Sequence, residues 1–380
     1  MHVWTLYAFL RVKAYCTGKL GKMACTGIRV ARVLKNNTFF SNLSGLLLNP
    51  SRNTAVLIKY RVFSSRPSET ENDRDPAPLF FNKEVQDLLK TLTKVDLKRV
   101  YRHRKDGEKL EPPVYKFMTD DDLEAALNEA KAKADLRLQM PPVVKKINDT
   151  PNILSNDHAL QKHDTAKFVF TDITYGISNV DRFIVVRDPD GILRSADARE
   201  RHRMNQIYFP LEGREVDAPK LFQEEYLMDL LEREEYEFIL DLACVQFEPN
   251  DPEYHRVTET VYSYVNNMKH FNYLRSTRHF GPLAFHLAWK GNIDNLILEN
   301  IQTSRLDDAV LLIQLYHKIH PTAKSAETKF EGDELKFIQS FVDNDSNNRN
   351  TLDLAIKSYV NLENAKLEVN EGIKRAHGSD

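Results

Sequence analysis

The chain has 380 residues, of which 42% are hydrophobic and 28% are charged, which are ordinary proportions for a globular protein with a sizeable core. Two of its three cysteines, Cys16 and Cys25, lie in a basic N-terminal stretch, and only Cys244 lies beyond it. This usage excludes both a secreted disulfide scaffold and a zinc finger built on paired thiolates. We expect Cys244, which lies in an apolar stretch, to be a small buried apolar residue.

Charge is distributed unevenly along the chain. Residues 1–66 contain eleven Lys or Arg and no acidic residue, whereas the rest contains 42 basic and 55 acidic residues, a net charge of −13. A long segment that is rich in Arg, free of acids and interspersed with apolar residues is typical of a mitochondrial transit peptide. We therefore predict that residues 1–63 direct the chain to the mitochondrial matrix, with cleavage between Phe63 and Ser64, shortly after Arg61.

The N-terminal stretch has two other interpretations. A secretory signal would have to be built on the apolar run Val3–Leu10, which is only eight residues long and is interrupted by Arg11. No apolar run approaches the roughly eighteen residues that a membrane-spanning helix needs. The basic residues could instead form an RNA-binding tail retained in the mature protein. The processing-like site favours the transit peptide over that tail.

Structure is predicted to begin after a polar leader. Residues 64–78, rich in Ser, Glu, Asp and Pro, indicate an extended or disordered segment. Residues 79–160 are predicted to form an N-terminal helical and extended segment. Its first helix runs from Lys83 to about Leu92, because Asn82 can cap it and apolar residues repeat at helical spacing. A short helical turn is expected near residues 95–101.

A second helix is predicted after an extended stretch. Pro112 and Pro113 disfavour helix in the residues before them, so the chain should be extended there. Thr119 can cap a helix that runs to about Leu138. The three acids Asp120–Asp122 lie where they complement the positive end of the helix dipole, and this explains them better than a metal or acid/base site does.

Residues 161–345 are predicted to form the main domain, which is helical with a small antiparallel β-sheet around residues 167–194. Two β-like runs, 168–173 and 182–187, precede the turn sequence Asp188-Pro189-Asp190-Gly191. Ile192–Arg194 should pair back on the second run. The sheet is expected to have two to four strands.

The remainder of the chain predicts one helix after another, so the expected fold class is mainly α (α+β). Ser304 and Asp307 resemble a capping box at the start of one of these helices. Residues 346–380 are assigned to a C-terminal helix and tail. No internal repeat is apparent, although a solenoid of helices stays an alternative. The predicted helices are a first that starts after Ser195 or Asp197 and stops before Pro210, then Leu221–Val245, Glu253–Met268, one with Phe285 and Trp289 that Gly291 ends, one with Leu306 and Tyr316 that ends before Pro321, Asp333–Phe341 and Thr351–Val369.

No catalytic motif can be found in the sequence. It has no phosphate-binding G-x-x-x-x-G-K-[ST], no G-x-G-x-x-G, no H-E-x-x-H and no G-x-S-x-G. We therefore predict that the protein is not an enzyme, has no catalytic residue and binds neither a cofactor nor a metal. Constellations assembled from scattered residues cannot be detected by spacing, so a matrix enzyme stays an alternative.

Three basic clusters are candidates for contact with RNA phosphates, and each can equally be an ordinary solvated face. Because the residues beyond Arg66 carry a net charge of −13, any RNA contact should be confined to minor patches, with most attachment through neighbouring proteins. The candidate residues are Lys98, Arg99, Arg102 and Arg104 in the first cluster, Arg199, Arg201 and Arg203 in the second, and Arg275, Arg278 and His279 in the third.

The sequence contains eight short strings whose order and spacing are specific. They are, in chain order, Pro112-Pro113-Val114-Tyr115-Lys116, Leu138-Gln139-Met140-Pro141-Pro142, Phe170-Thr171-Asp172-Ile173, Arg182-Phe183-Ile184-Val185-Val186-Arg187, Gln206-Ile207-Tyr208-Phe209-Pro210, Gln246-Phe247-Glu248-Pro249, Leu274-Arg275-Ser276-Thr277-Arg278 and Gln314-Leu315-Tyr316-His317. Together they resemble one known family, that of the animal mitochondrial small-subunit ribosomal protein twenty-two, over about residues 79–345. The resemblance implies a mitochondrion-specific ribosomal protein in the body of the small subunit, with no catalytic residues.

The leading hypothesis is therefore a structural constituent of the mitochondrial small ribosomal subunit. Its expected partners are other small-subunit proteins and, through minor patches, the small-subunit rRNA, with no membrane span and no small-molecule substrate. One alternative is a matrix translation or assembly factor that binds the ribosome transiently, and another is the matrix enzyme. The factor would leave the ribosome on a salt wash, and the enzyme would be active as a free monomer.

Overall fold

The structure is a computed structural model that describes residues 74–101, 112, 114–147, 150–161 and 164–377. The predicted transit peptide and residues 64–73 of the predicted leader lie outside the described residues, whereas Ala77 and Pro78, the last two residues of that leader, belong to the first helix. The described part confirms a mainly helical fold with one small antiparallel sheet. Within it, no helix combines the length and the hydrophobicity that crossing a membrane requires.

Three short N-terminal helices begin the described part, α1 (Ala77–Phe80), α2 (Lys83–Thr93) and α3 (Leu97–Val100). The Asn82 side chain accepts a hydrogen bond of 2.9 Å from the backbone N–H of Glu84, which is the predicted cap of α2. The apolar face of α2, which includes Leu89, is buried against the main helical core. Both predicted elements of this region are confirmed.

Helix α4 (Asp120–Arg137) begins at the predicted cap, where the Thr119 hydroxyl accepts from the backbone N–H of Asp122 at 3.3 Å. Ala134 is the only residue that α4 buries. The helix is instead tied to α3 at its side, because the Tyr101 hydroxyl donates to the Ala130 carbonyl at 2.8 Å and the Arg137 guanidinium lies 4.6 Å from the centre of the Tyr101 ring.

The sheet has four antiparallel strands in the order β1-β4-β3-β2. They are β1 (Ile153–Asn156), β2 (Phe168–Thr171), β3 (Ile184–Arg187) and β4 (Ile192–Ser195). Three of the strands lie in the predicted region, whereas β1 lies before it. All four residues of β1 are exposed, so this strand lacks the alternation of buried and exposed side chains by which a strand is recognised. The β3–β4 turn needs Gly191, because φ is +78° and an added Cβ would lie 2.2 Å from the Asp157 carbonyl oxygen.

Helix α5 (Ala198–Tyr208) follows the sheet, and a capping box between Asp197 and Glu200 caps its N-terminus. Its limits confirm the prediction of a helix that starts after Asp197 and stops before Pro210. The main core lies beyond it. Its helices are α6 (Glu224–Glu232), α7 (Tyr236–Gln246), α8 (Pro252–Met268), α9 (Phe271–Leu274), α10 (Phe280–Trp289), α11 (Asp294–Gln302), α12 (Leu306–Ile319), α13 (Glu334–Asn344) and α14 (Arg349–His377).

Two expectations for these helices are wrong. The single helix predicted over Leu221–Val245 is two helices, α6 and α7, because Glu234 adopts a left-handed conformation with φ of 63° between them. The predicted capping box of Ser304 and Asp307 does not form. Ser304 instead has φ of 57° and ends α11, a helix that the sequence analysis did not identify.

The core of the described part is formed by α2 and α6 to α14. Helices α2, α10 and α12 pack on one another, α11 packs on α12 and α14, and α13 packs between α12 and α14. Cys244, which was predicted to be buried, is half-buried against this core with its Sγ 3.6 Å from the Tyr254 hydroxyl.

Candidate nucleic-acid interface

The third basic cluster, predicted to contact RNA, lies inside the helical core. Arg275 follows α9 and its side chain is 7% exposed. Its Nη2 lies 2.5 Å from both the Glu299 carboxylate and the Asn300 side-chain oxygen, and its Nη1 lies 3.5 Å from the carboxylate of Asp308. Its guanidinium also lies 4.9 Å from the centre of the Phe280 ring. The charge of Arg275 is therefore used to join α9–α10 to α11 and α12.

The other two members of this cluster converge on Asp241 of α7. The Arg278 Nη2 lies 2.6 Å and the His279 Nε2 lies 2.9 Å from the same carboxylate oxygen. Burial lowers the pKa of His279 below its ordinary value even though Asp241 opposes that shift. A neutral imidazole that donates to Asp241 has no charge to offer a phosphate. The geometry makes this cluster an internal brace between α7 and α10.

The second cluster is divided between interior and surface. Arg201 points inward, where its Nη1 donates to the carbonyls of Val180 at 3.1 Å and Arg182 at 2.8 Å, and burial lowers its pKa. Arg199 and Arg203 are exposed, lie four residues apart on α5, and make no ion pair with the described residues. These two cations share one face of the helix and are accessible to a phosphate.

The first cluster is described only in part, because Arg102 and Arg104 lie outside the described residues. Lys98 is exposed on α3 and has no carboxylate partner among the residues the structure covers. The Arg99 guanidinium donates to the Asn272 carbonyl at 2.8 Å and to its side-chain oxygen at 3.1 Å, and the Arg99 side chain remains 39% exposed. Lys98 is therefore the more accessible cation of the two.

The sheet has an open aromatic face that the sequence analysis did not identify as functional. Register pairs Phe168 with Arg187 and Phe170 with Val185, and the Asp172 N–H donates to the Phe183 carbonyl at 3.0 Å, so the three Phe rings and Arg187 share one face. Phe168, Phe170 and Phe183 are 46%, 54% and 62% exposed. The opposite face buries Ile184 and Val186. The sequence signal for this face was the runs of consecutive apolar residues in β2 and β3, because adjacent residues of a strand point to opposite faces of the sheet.

A small polar cavity lies between the sheet and the helices. Its volume is about 210 Å³, and its walls include Arg201, His202, Asn205 and Arg214. The buried Oδ1 of Asn205 has no hydrogen-bond partner. Cofactor and drug-sized ligands use pockets of about 300–1,000 Å³, so this cavity is small for them. In the described residues, no three His, Cys, Asp or Glu side chains are placed to hold a metal ion.

Together, the fold and these surfaces define a mainly helical protein. In its described part, several basic side chains form internal ion pairs, and apolar faces are exposed to solvent. Such features are typical of a subunit that is held in an assembly by contacts with its neighbours. Residues 78–321 match the family described as Mitochondrial 28S ribosomal protein S22, and the chain belongs to that family.

Individual relatives agree with this assignment. The chain is 38% identical over 294 residues to the small ribosomal subunit protein mS22 of Bos taurus, which covers 77% of this chain and 81% of the relative. It is also 38% identical over 304 residues to the protein of that name from Mus musculus, covering 80% and 84%. The resemblance noted in the sequence is thereby confirmed.

Proposed function

We propose that this chain is a structural constituent of the small subunit of the mitochondrial ribosome, located in the matrix and without catalytic activity of its own. Its family and the names of its relatives support the proposal that it belongs to this ribosomal subunit. The observation that carries the mode of action is the contrast between internally paired cations, such as Arg275 and Arg278, and open apolar faces. A protein built in this way holds neighbours together mainly through protein contacts.

The aromatic face of the sheet is the strongest candidate for such a protein contact. Three Phe side chains on one face expose apolar surface that water solvates poorly, and aromatic residues are enriched at the centres of protein interfaces. Arg187 lies among them and can pair with an acidic group at the rim. The face has no covering element in the described part of the chain, so an external partner would bury it.

Contact with rRNA is assigned to a minor patch made by Arg199 and Arg203, with Lys98 as a second point of contact. Only exposed cations without internal partners can release counterions from a phosphate backbone, and these three meet that condition among the described residues. Arg275 and His279 do not, because they are buried and bonded to carboxylates. The net charge of −13 beyond Arg66 limits RNA attachment to such patches.

The RNA patch can be tested by reversing its charge. In the double variant Arg199→Glu and Arg203→Glu, we expect normal folding but earlier release of the protein from small subunits as salt is raised, because two phosphate contacts become repulsive. The control is the double variant Lys83→Glu and Lys90→Glu, which makes the same change in charge at two exposed positions of α2. Equal salt resistance of both variants would remove the patch from the binding account.

The N-terminal processing belongs to this proposal as well. Residues 1–63 would be removed in the matrix, so that the mature chain begins at Ser64, thirteen positions before the first residue of α1. N-terminal sequencing of the protein recovered from mitochondria tests this directly. A mature protein that starts at Ser64 supports the cleavage, whereas one that retains residues 1–63 would revive the basic RNA-binding tail.

A further inference from the structure

The C-terminal helix α14 is anchored to the core by its first third only. Leu352, Ala355 and Ile356 are 1%, 9% and 8% exposed and pack with the core. Just before the helix, the backbone N–H groups of Asn347 and Asn348 donate to the Asp294 carboxylate at 2.9 and 3.0 Å. These bonds fix the direction in which α14 leaves the body of the protein.

Beyond this anchor, the helix carries an apolar stripe that the described residues do not cover. Tyr359 is half-buried against the core, while Leu362, Val369 and Ile373 are 49%, 60% and 51% exposed. Together with Lys366 they repeat at intervals of three and four residues, which is the seam spacing of a coiled coil. The stripe lies on the same face of the helix as Ala355 and Tyr359, which contact the core. This face is therefore buried near the start of α14 and exposed to solvent further along it.

Lys366 does not interrupt this stripe. Its ammonium lies 2.7 Å from the Glu363 carboxylate, one turn earlier on the side of the helix. Long basic side chains can place their apolar stem along a hydrophobic surface while the charge stays at its edge. Lys366 occupies the stripe position between Leu362 and Val369, and its stem can contribute apolar surface there.

We infer that residues 360–374 dock against an amphipathic helix of a neighbouring protein in the small ribosomal subunit. This inference rests on the proposed function and names one partner surface and its chemistry. The three-four spacing matches the ridge of another helix, because knobs at these positions enter holes on a facing helix. RNA is a poor fit, since residues 357–374 contain three Lys and three Glu and so exert no net attraction on phosphates.

A second copy of this chain is also a poor occupant. Fifteen residues of helix extend about 22 Å at 1.5 Å per residue, which is two heptads. A stable dimer usually buries about 800 Å² per partner, more than so short a seam can bury. A neighbour that the rest of the protein already contacts in the particle does not need so large an interface, because its effective concentration is high.

A depression beside the exit of α14 fits this arrangement. It is lined by Leu306 of α12, Leu335 of α13, and Tyr359 and Val360 of α14, where the buried part of the stripe becomes the open part. The partner helix could therefore end against the core instead of in solvent. The open stripe and this depression form one continuous surface.

Site-specific crosslinking in mitochondria tests the inference. A photo-crosslinking amino acid is placed in the full chain at Val369, on the stripe, or at Leu367, whose exposure of 61% matches the 60% of Val369 but which lies on another side of the helix. Small subunits are isolated after irradiation and the crosslinked peptides are identified. We expect at least fivefold more crosslink from position 369, to a helical segment of a small-subunit protein.

Other outcomes overturn the inference. They are equal yields at both positions, no crosslink at 369, or crosslinks at 369 to rRNA or to a second copy of this chain. Val369→Glu should also lower the amount of protein retained on small subunits in high salt at least fivefold relative to Leu367→Glu. If both variants stay in the particle equally, the docking is wrong while the proposed function stands. If the unmodified chain is absent from small subunits, both are wrong.

Discussion

The ammonium group of Lys94 lies 2.9 Å from the carboxylate of Asp308, a side chain with no exposure to solvent. Lys94 ends α2 and Asp308 lies in the first turn of α12, 214 positions further along the chain. Arg275 approaches the other oxygen of the same carboxylate at 3.5 Å. A basic side chain from each of two distant segments thus compensates one buried acid, which holds the N-terminal helices on the core.

Removing Arg275 should therefore destabilise the fold rather than weaken RNA binding. In Arg275→Met, Glu299 and Asp308 lose their shared cation while remaining largely or fully buried. Breaking a buried ion pair by deleting one partner costs about 3–5 kcal/mol. Urea unfolding of the purified chain should show a loss of this size. The control Arg199→Met, at an exposed position, should change stability by less than about 0.5 kcal/mol. Equal effects of the two variants would contradict the bracing role.

Ser304→Gly should stabilise the protein. Ser304 has φ of 57°, and the N–H groups of Ser304 and Arg305 donate to the carbonyls of Ile301 at 3.1 Å and Asn300 at 2.8 Å, which is a Schellman motif. Glycine adopts this conformation without the steric penalty of a Cβ, so we expect a gain of about 1 kcal/mol in the free energy of unfolding. Ser304→Ala should give no gain, because it keeps the Cβ. A loss in both variants would instead indicate a capping hydroxyl.

Stability should fall on mild acidification. Burial lowers the pKa values of His279 and His255 in the folded protein, so below about pH 6.5 the unfolded chain binds more protons than the folded one. The stability present above this pH is therefore lost as the pH falls. Each such histidine contributes up to about 1.4 kcal/mol of loss at pH 5.5, where most carboxylates are still ionised. The difference between the free energies of unfolding at pH 7.5 and 5.5, measured with denaturant, gives the total loss of stability.

The contribution of His279 can be isolated with His279→Gln, which retains a hydrogen-bond donor for Asp241. This variant should lose less stability than the unsubstituted protein between pH 7.5 and 5.5, by about 1 kcal/mol, whatever its stability at neutral pH. An identical pH dependence of the two proteins would mean that His279 is not held neutral by burial.

Phe170→Glu should separate folding from assembly. Because the Phe170 side chain is 54% exposed, its replacement should change the free energy of unfolding by no more than about 0.5 kcal/mol. It would nevertheless place a charge in the centre of the proposed protein contact and reduce recovery of the chain in small subunits. Tyr226→Glu, at a 51% exposed aromatic on α6, is the matched control. If both variants assemble normally, the sheet face makes no essential contact.

The sequence was sufficient for elements whose ends carry the usual signals. Asn82 and Thr119 cap their helices as expected, and Gly291, with φ of 69°, ends α10. It failed at two of the non-glycine residues that have positive φ. Glu234 and Ser304 carry no compositional sign of that role, so α6 and α7 were predicted as one helix and α11 was not identified. A contact with a distant residue accompanies the first end, where the Tyr273 hydroxyl donates to the Glu234 carboxylate, and a single-sequence pattern does not record it. The second end is closed by local backbone hydrogen bonds that form there without glycine.

The candidate RNA contacts show a similar limit. A cluster of basic residues looks alike in the sequence whether its charges face solvent or a buried carboxylate. The acids that hold the third cluster lie far along the chain from their partners: Glu299 and Asp308 lie 24 and 33 positions from Arg275, and Asp241 lies 38 positions from His279. Only the packing of α7, α11 and α12 brings them together. By contrast, Arg199 and Arg203 are separated by one helical turn, so their common face follows from the sequence alone.

The central claim is that this protein is a stable, integral part of the small subunit. Sedimentation of a detergent lysate of mitochondria through a high-salt gradient tests it most directly, with this protein followed beside small-subunit rRNA. We predict that the protein co-migrates with small subunits after the salt wash, because apolar protein contacts are not screened by salt. Recovery near the top of the gradient as a free protein would contradict the account and favour a transient factor or a matrix enzyme.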